Sequence, residues 1–169
     1  MSDIRFDKLR VLVVDDNQHM RKLVLAVLQA VGVRDFFEAP DAEHAWANLK
    51  ETNPDVIILD WQMTGMTGLE FVRLLRTSPR TPNAFVPVIM LTGHSHVDHV
   101  RQARDAGVNE FLAKPVSVKA ILSRLLNVIN HPRPYIRCQN YFGPCRRRRA
   151  VTEYKGPERR QNEYVTVDS

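Results

Sequence analysis

Charged and hydroxyl side chains end four separate apolar runs of this sequence. They are Asp15 and Asp16 after the first run, Asp60 after the third, Thr92 after the fourth and Lys114 after the fifth. Clustered carboxylates repel one another unless a hard cation neutralises them, and Mg²⁺ takes one or two carboxylates together with waters and phosphate oxygens. A lysine ammonium and a threonine hydroxyl beside that cation suit a phosphoryl group. Asp60 would be the nucleophile, because a carboxylate can attack phosphorus and form an acyl phosphate.

Five short apolar runs alternate with amphipathic runs, and this alternation has to bring those side chains together. It predicts strands near 10–14, 35–39, 55–59, 86–91 and 110–113, and helices near 20–31, 42–49, 69–76, 97–106 and 117–129. Such a pattern is typical of an α/β fold with a doubly wound, five-stranded parallel sheet in the flavodoxin-like order 2-1-3-4-5. Strands one and three flank the point where the strand order reverses. The three carboxylates are therefore expected to converge there.

Composition places the chain's positive charge in one segment. Residues 1–130 hold 15 basic and 15 acidic side chains, whereas residues 131–169 hold nine basic and four acidic ones, which accounts for the net charge of +5. No apolar run reaches the roughly 18 residues of a membrane span, and the N-terminus lacks an apolar signal core, so a soluble cytoplasmic protein is expected. Cys138 and Cys145 lack CxxC spacing and are expected to be reduced thiols.

Residues 8–130 resemble a response-regulator receiver domain of the CheY type. The matching motifs are Val-Leu-Val-Val-Asp-Asp at 11–16, Asp-Trp-Gln-Met at 60–63, Met-Thr-Gly at 66–68, Leu-Thr-Gly at 91–93 and Phe-Leu-Ala-Lys-Pro at 111–115. The resemblance implies that Asp60 accepts a phosphoryl group from a histidine kinase or phosphotransfer protein, and that Thr92 and Lys114 contact that group. It also implies a Mg²⁺ site formed by Asp15, Asp16, Asp60 and the carbonyl of Gln62.

Two positions depart from the receiver pattern. Thr64 stands where a proline is usual in the loop after the phosphoacceptor, and we expect it to loosen that loop. Phe111 takes the place of the aromatic switch residue but lacks a hydroxyl group, so it would switch by burial alone; a plain core aromatic is the alternative. By this resemblance the domain is no enzyme in the usual sense, because it catalyses only its own phosphorylation and slow hydrolysis.

The segment 131–169 has a different character from the rest of the chain. His131-Pro-Arg-Pro134 bars continuation of the last helix, and few aliphatic residues follow, which predicts a basic tail that is disordered when free. Within it Gly143-Pro-Cys-Arg-Arg147 is repeated thirteen residues later as Gly156-Pro-Glu-Arg-Arg160, with an aromatic residue upstream of each copy. Each Gly-Pro is expected to form a turn that presents its arginine pair.

Arginines interleaved with aromatic rings suit nucleotides, because guanidinium groups bind guanine O6/N7 and phosphates while aromatic rings stack on bases. Two copies suit a ligand with two equivalent halves, such as cyclic di-GMP. The tail resembles the arginine-rich extension of the CheY-like Cle proteins, which implies cyclic di-GMP binding, action on a flagellar motor-switch protein and recruitment to the flagellar pole. The implied ligand-binding residues are Tyr141, Arg146, Arg147, Arg148, Arg149, Tyr154, Arg159 and Arg160.

Two other functions remain open at this point. The chain could be an ordinary phosphorelay receiver in which Asp60 phosphorylation alone sets the output and the tail is incidental. It could also bind nucleic acid through Arg146 to Arg149, which we consider the less favoured ligand. Binding to a polyelectrolyte weakens steeply with salt because counterions are released, whereas a site that reads guanine should lose less affinity.

Overall fold

The predicted five-stranded sheet is confirmed by the structure. This is a computed structural model, and it describes residues 6–93, 97–146 and 165–167. The strands β1 (Arg10–Val14), β2 (Asp35–Ala39), β3 (Val56–Asp60), β4 (Val88–Thr92) and β5 (Glu110–Ala113) form one parallel sheet in the order β2-β1-β3-β4-β5. Because the strands are parallel and in register, their carboxyl ends lie along one edge, and Asp60 ends the central strand.

Five helices cover both faces of this sheet, as expected. They are α1 (Gln18–Ala30), α2 (Ala42–Thr52), α3 (Gly68–Thr77), α4 (Val97–Ala106) and α5 (Val118–Asn130). Their starts are set by side chains that accept hydrogen bonds from the first turn, namely Asn17 for α1, Asp41 for α2, Thr67 for α3 and Ser117 for α5. At α3 the side chain of Glu70 also reaches back to the Thr67 backbone and completes a capping box.

The sheet separates two hydrophobic layers. On one face α2, α3 and α4 pack against Leu12, Ile57 and Met90, and Phe71 is fully buried in this layer. On the other face α1 and α5 pack against residues that alternate with these along the same strands. The central strands are therefore buried on both faces, which is why they read as continuous apolar runs rather than alternating ones.

The C-terminal segment differs from the expected disordered tail wherever the structure describes it. The strands β6 (Tyr135–Cys138), β7 (Tyr141–Pro144) and β8 (Val165–Val167) form a small antiparallel sheet in the order β7-β6-β8. Strands therefore lie at residues 135–138, 141–144 and 165–167 of the predicted tail, and the disorder of the free tail stays a prediction. Too few aliphatic residues are present for a separate core, but this sheet buries its aromatic rings against the main domain instead.

The contact between the β6–β7 hairpin (residues 135–144) and the main domain centres on an aromatic cluster. The rings of Phe85, Tyr135 and Phe142 lie 5.1–5.8 Å apart. Tyr135 is 5% exposed, and its hydroxyl donates a hydrogen bond to the carbonyl of Phe85 at 2.6 Å. Arg133 also spans the contact, since it donates to the backbone carbonyls of Asn109 and Cys145. The hairpin is therefore part of the folded domain.

A buried arginine lies beneath this cluster. Arg76, near the end of α3, is 4% exposed and donates hydrogen bonds to the carbonyls of Ala84 and Gly107 and to the side chain of Asn109. Its guanidinium carbon lies 5.3 Å from the centre of the Tyr135 ring. Backbone oxygens and an aromatic face thus satisfy a charge that the hairpin shields from water.

The first Gly-Pro pair does not form the expected turn. Gly143 and Pro144 lie in β7, opposite Ile136 and Tyr135, and the turn of the hairpin lies at residues 139–140. A Cβ atom on Gly143 would lie 2.8 Å from the Tyr141 hydroxyl and 3.0 Å from the Cα of Gly107. Glycine is needed here because the hairpin backbone approaches the main domain closely.

Among the described residues, none of the helices is both long and apolar enough to cross a membrane.

Candidate phosphorylation and magnesium site

The three predicted carboxylates meet at the carboxyl edge of the sheet. Asp15 and Asp16 follow β1 and Asp60 ends β3, and one oxygen atom from each lies within 4.8 Å of the others. Asp15 and Asp60 are buried, whereas Asp16 is exposed at the mouth of a cavity of about 230 Å³. This arrangement fits Mg²⁺, which is coordinated by hard oxygen ligands and keeps several of its waters.

Lys114 ties two of these carboxylates together. Its Nζ atom lies 2.7 Å from Asp60 and 3.2 Å from Asp15. Burial acts to lower the pKa of Lys114, but the hydrogen bond and charge of Asp60, together with the charge of Asp15, raise it overall. Burial raises the pKa of Asp60, and Asp15 adds to that shift while Lys114 opposes it. The pKa values of both groups are raised for different reasons. The two anionic neighbours of Lys114 favour its charged form, whereas at Asp60 burial and two anionic neighbours outweigh the effect of the one cationic neighbour.

Thr64 holds the loop after β3 instead of loosening it. Its backbone N–H and its hydroxyl both donate hydrogen bonds to Asp16 Oδ2, at 3.0 Å and 2.9 Å. A proline at this position could make neither bond. The expectation drawn from the missing proline is therefore corrected, and the signal that sequence reasoning missed is that threonine offers two donors to a nearby carboxylate.

Gly68 is a second residue whose role the sequence did not reveal. It is the first residue of α3, and its N–H donates to the carbonyl of Trp61 at 3.0 Å. A Cβ atom here would lie 2.1 Å from the carbonyl oxygen of Asp60. Any larger residue would push α3 away from the strand end that carries Asp60.

The remaining predicted residues surround the same cavity or lie near it. Thr92, at the end of β4, is buried and lines the cavity together with Gln62. The rings of Trp61 and His99 line it and stack with centroids 4.9 Å apart, a contact between the residue after β3 and α4 that sequence reasoning also missed. Phe111 lies outside the cavity lining, half-buried against the core layer of α2 to α4. Its role as a switch therefore stays a prediction.

Two of the predicted nucleotide-binding residues lie together beside α4. The guanidinium carbon of Arg146 is 4.6 Å from the centre of the Tyr141 ring, and Arg146 Nη2 is 3.2 Å from Asp105. Burial raises the pKa of the Tyr141 hydroxyl, against the opposing effect of Arg146. The other predicted residues lie outside the described part of the chain: Arg147, Arg148, Arg149, Tyr154, Arg159 and Arg160.

Known proteins are similar to this chain over 69–74% of its length. The chemotaxis protein CheY of Pseudomonas aeruginosa is 32% identical over 117 residues, covering 69% of this chain and 93% of that protein. The phosphate regulon transcriptional regulatory protein PhoB of Klebsiella pneumoniae is 34% identical over 125 residues, and the match spans 74% of this chain but only 53% of PhoB.

Solved structures give the same result. The chemotaxis protein CheY4 of Vibrio cholerae superposes with a TM-score of 0.65 at 32% sequence identity, covering 71% of this chain and 98% of CheY4. The family model described as the response regulator receiver domain matches residues 11–126. The chain therefore belongs to the response regulator receiver family.

Proposed function

We propose that this receiver is a cyclic di-GMP effector: its C-terminal segment binds the nucleotide, and the receiver passes the signal on by contact with a flagellar motor-switch protein. The observation that carries the proposal is the place of Arg146. It extends from the end of the hairpin, stacks on Tyr141 and pairs with Asp105 in the last turn of α4. A ligand that binds Arg146 would therefore change a contact of α4.

The chemistry of the segment supports a guanine nucleotide. Arg146 begins the run Arg146–Arg149, and Arg159 and Arg160 repeat the pair in the second copy. Guanidinium groups bind guanine O6/N7 and phosphate oxygens bidentately, and aromatic rings stack on the bases. Cyclic di-GMP carries two copies of each feature, in keeping with two copies of the arginine pair.

The first test is calorimetry with cyclic di-GMP at moderate salt. The intact chain should bind, the double variant Arg146→Ala/Arg147→Ala should bind at least tenfold more weakly, and Arg101→Ala, an exposed arginine elsewhere on α4, should bind like the parent. Cyclic di-AMP should be rejected. Absence of binding to the intact chain would contradict the proposal, and a steep loss of affinity with salt but no preference for guanine would indicate a nucleic-acid-binding segment.

The carboxylate cavity supports a second function, that of a phosphorelay receiver. Asp60 would accept a phosphoryl group from a histidine kinase or phosphotransfer protein, with Lys114 and the Thr92 hydroxyl contacting its oxygens. Asp15, Asp16, Asp60 and the Gln62 carbonyl would hold Mg²⁺, which neutralises charge on the transferring group. The specific observation is that Lys114 already contacts Asp60 at 2.7 Å, where it would meet a phosphoryl oxygen.

Trp61 provides the assay for this second function, because it lines the cavity. Mg²⁺ with beryllofluoride or acetyl phosphate should change the tryptophan fluorescence of the chain, and Asp60→Asn should abolish the change. The variant Trp61→Phe keeps Trp46, which is half-buried against the core beside Phe71, and reports any fluorescence change that comes from elsewhere. An unchanged spectrum in the parent chain at millimolar Mg²⁺ would count against phosphorylation of Asp60. The two functions are compatible in one chain.

A further inference from the structure

A groove of about 620 Å³ runs between the receiver and the hairpin, at the opposite end of the sheet from Asp60. Its walls are the end of α3, the last turn of α4 and the hairpin residues 137–142. Its volume lies within the range of roughly 300–1,000 Å³ that is usual for small-molecule sites. The groove adjoins Arg146, since both Asp105 and Tyr141, which contact Arg146, line it.

Two of the walls carry positive charge that can reach a ligand. Arg73 on α3 is exposed, and Arg137 on β6 is exposed with its guanidinium carbon 4.8 Å from the Phe142 ring. Arg76 also borders the groove, but backbone carbonyls and Asn109 already take up its donors. Arg73 and Arg137 are thus the cations available for an anionic group in the groove.

The third wall has the opposite character. Asp105 presents a half-exposed carboxylate in the last turn of α4, where the helix dipole also places partial negative charge. Its Oδ1 atom pairs with Arg146 at 3.2 Å and lies 3.7 Å from Arg104 Nε, so this wall favours hydrogen-bond donors over a bare phosphate. A ligand that matches all three walls must therefore carry an anionic group and, a few ångströms away, an edge of adjacent N–H donors.

Guanine nucleotides have both features, because the N1–H and 2-amino groups of guanine form a donor edge that a carboxylate can accept. We propose that one guanylate half of cyclic di-GMP lies in this groove, with Asp105 accepting from the guanine donor edge and Arg73 and Arg137 binding the phosphate. The inference rests on the proposed function and adds that the receptor is composite. Arg146 would leave Asp105 for the nucleotide, at little cost, because half-exposed ion pairs contribute little to stability.

The test uses the full-length chain and calorimetry with cyclic di-GMP and cyclic di-IMP, which lacks the 2-amino group. Asp105→Asn should weaken cyclic di-GMP binding about tenfold and should reduce the preference for cyclic di-GMP over cyclic di-IMP. Arg73→Ala should weaken both nucleotides equally, because it contacts phosphate. Asp98→Asn and Arg101→Ala, exposed on α4 outside the groove, are the matched controls and should bind like the parent.

The outcomes separate this inference from the proposed function. If the parent chain does not bind cyclic di-GMP, both fail. A second outcome is that the parent binds, Arg146→Ala/Arg147→Ala does not, and Asp105→Asn and Arg73→Ala bind with the affinity of the parent. The nucleotide is then held by the C-terminal segment alone, and the composite site is refuted. Tighter binding by Asp105→Asn would also refute it, because Asp105 would then only compete for Arg146.

Discussion

Removal of the β6–β7 hairpin should destabilise the receiver itself. Tyr135 is 5% exposed and Phe142 is 8% exposed, and both pack on Phe85. The Tyr135 ring also lies over the buried guanidinium of Arg76. A chain truncated after Asn130 would expose Phe85 and return the Arg76 site to water. This expectation is opposite to that for a disordered tail, whose removal would leave the stability of the domain unchanged.

The magnitude follows from Tyr135. Truncating a buried aromatic side chain to alanine costs about 3–5 kcal/mol, so Tyr135→Ala should lose that much free energy of unfolding. Tyr135→Phe keeps the ring and removes only the hydroxyl that donates to the Phe85 carbonyl at 2.6 Å, at a cost of about 0.5–1.5 kcal/mol. Removal of the whole hairpin should cost at least as much as Tyr135→Ala, a large share of the roughly 5–15 kcal/mol of a typical domain.

Urea denaturation followed by circular dichroism measures these differences. For a chain of this size the alanine variant should also melt about 6–20 °C lower, since each 1 kcal/mol shifts Tm by roughly 2–4 °C. Gln139→Ala, in the exposed turn of the hairpin, is the control and should stay within about 0.5 kcal/mol of the parent. A truncated chain with the parent's urea midpoint would refute the reasoning. If that chain does not fold, the graded losses of Tyr135→Phe and Tyr135→Ala still decide the matter.

Three further predictions concern the site around Asp60. Gly68→Ala should lower the free energy of unfolding, measured by urea denaturation, by about 1–3 kcal/mol or more, because a Cβ would lie 2.1 Å from the Asp60 carbonyl oxygen. Gly93→Ala is the control and should be near neutral, because its Cβ would meet no atom within 4 Å. Thr64→Ala should cost about 0.5–1.5 kcal/mol, and much of this loss should disappear in an Asp16→Ala background, which lacks the acceptor, as a double-mutant cycle would show. Asp60→Asn should stabilise the metal-free protein at neutral pH, because burial raises the pKa of Asp60 and its ionised form therefore opposes folding. Measured in EDTA, the gain should shrink as the pH falls through the raised pKa of Asp60 in the folded chain and should be gone below about 3.9, the pKa of an unfolded aspartate; a gain independent of pH would contradict the prediction.

The sheet and its site were predictable because their signals are local. Each strand of the receiver is a short apolar run, each helix has its own period, and the site residues simply follow the strands. Strand order then brings Asp15, Asp16 and Asp60 to one edge without any knowledge of packing. The cluster of three carboxylates in the structure is what that reasoning predicts.

The C-terminal sheet escaped prediction because its stability comes from elsewhere in the sequence. Few aliphatic residues follow Asn130, so composition alone predicts disorder. The missing apolar surface is supplied by Phe85 and by the face of α3 that carries Arg76, which are 50 and 59 positions away from Tyr135. The sequence also predicts the wrong environment for Arg76, because an arginine near the end of a helix is usually solvated. Only the folded domain shows that its guanidinium is buried beneath the hairpin.

The helix α4 contacts both candidate sites. At its first turn His99 stacks on Trp61 beside the Asp60 cavity, and at its last turn Asp105 pairs with Arg146. Just beyond it, the carbonyl of Gly107 accepts from Arg76 under the hairpin. If phosphorylation and the nucleotide each favour a different position of α4, their binding free energies are coupled, and the coupling must be reciprocal. Beryllofluoride at Asp60 should then change the affinity for cyclic di-GMP by the same factor by which cyclic di-GMP changes the affinity for beryllofluoride. A factor of one in both directions would show that α4 does not couple the two sites.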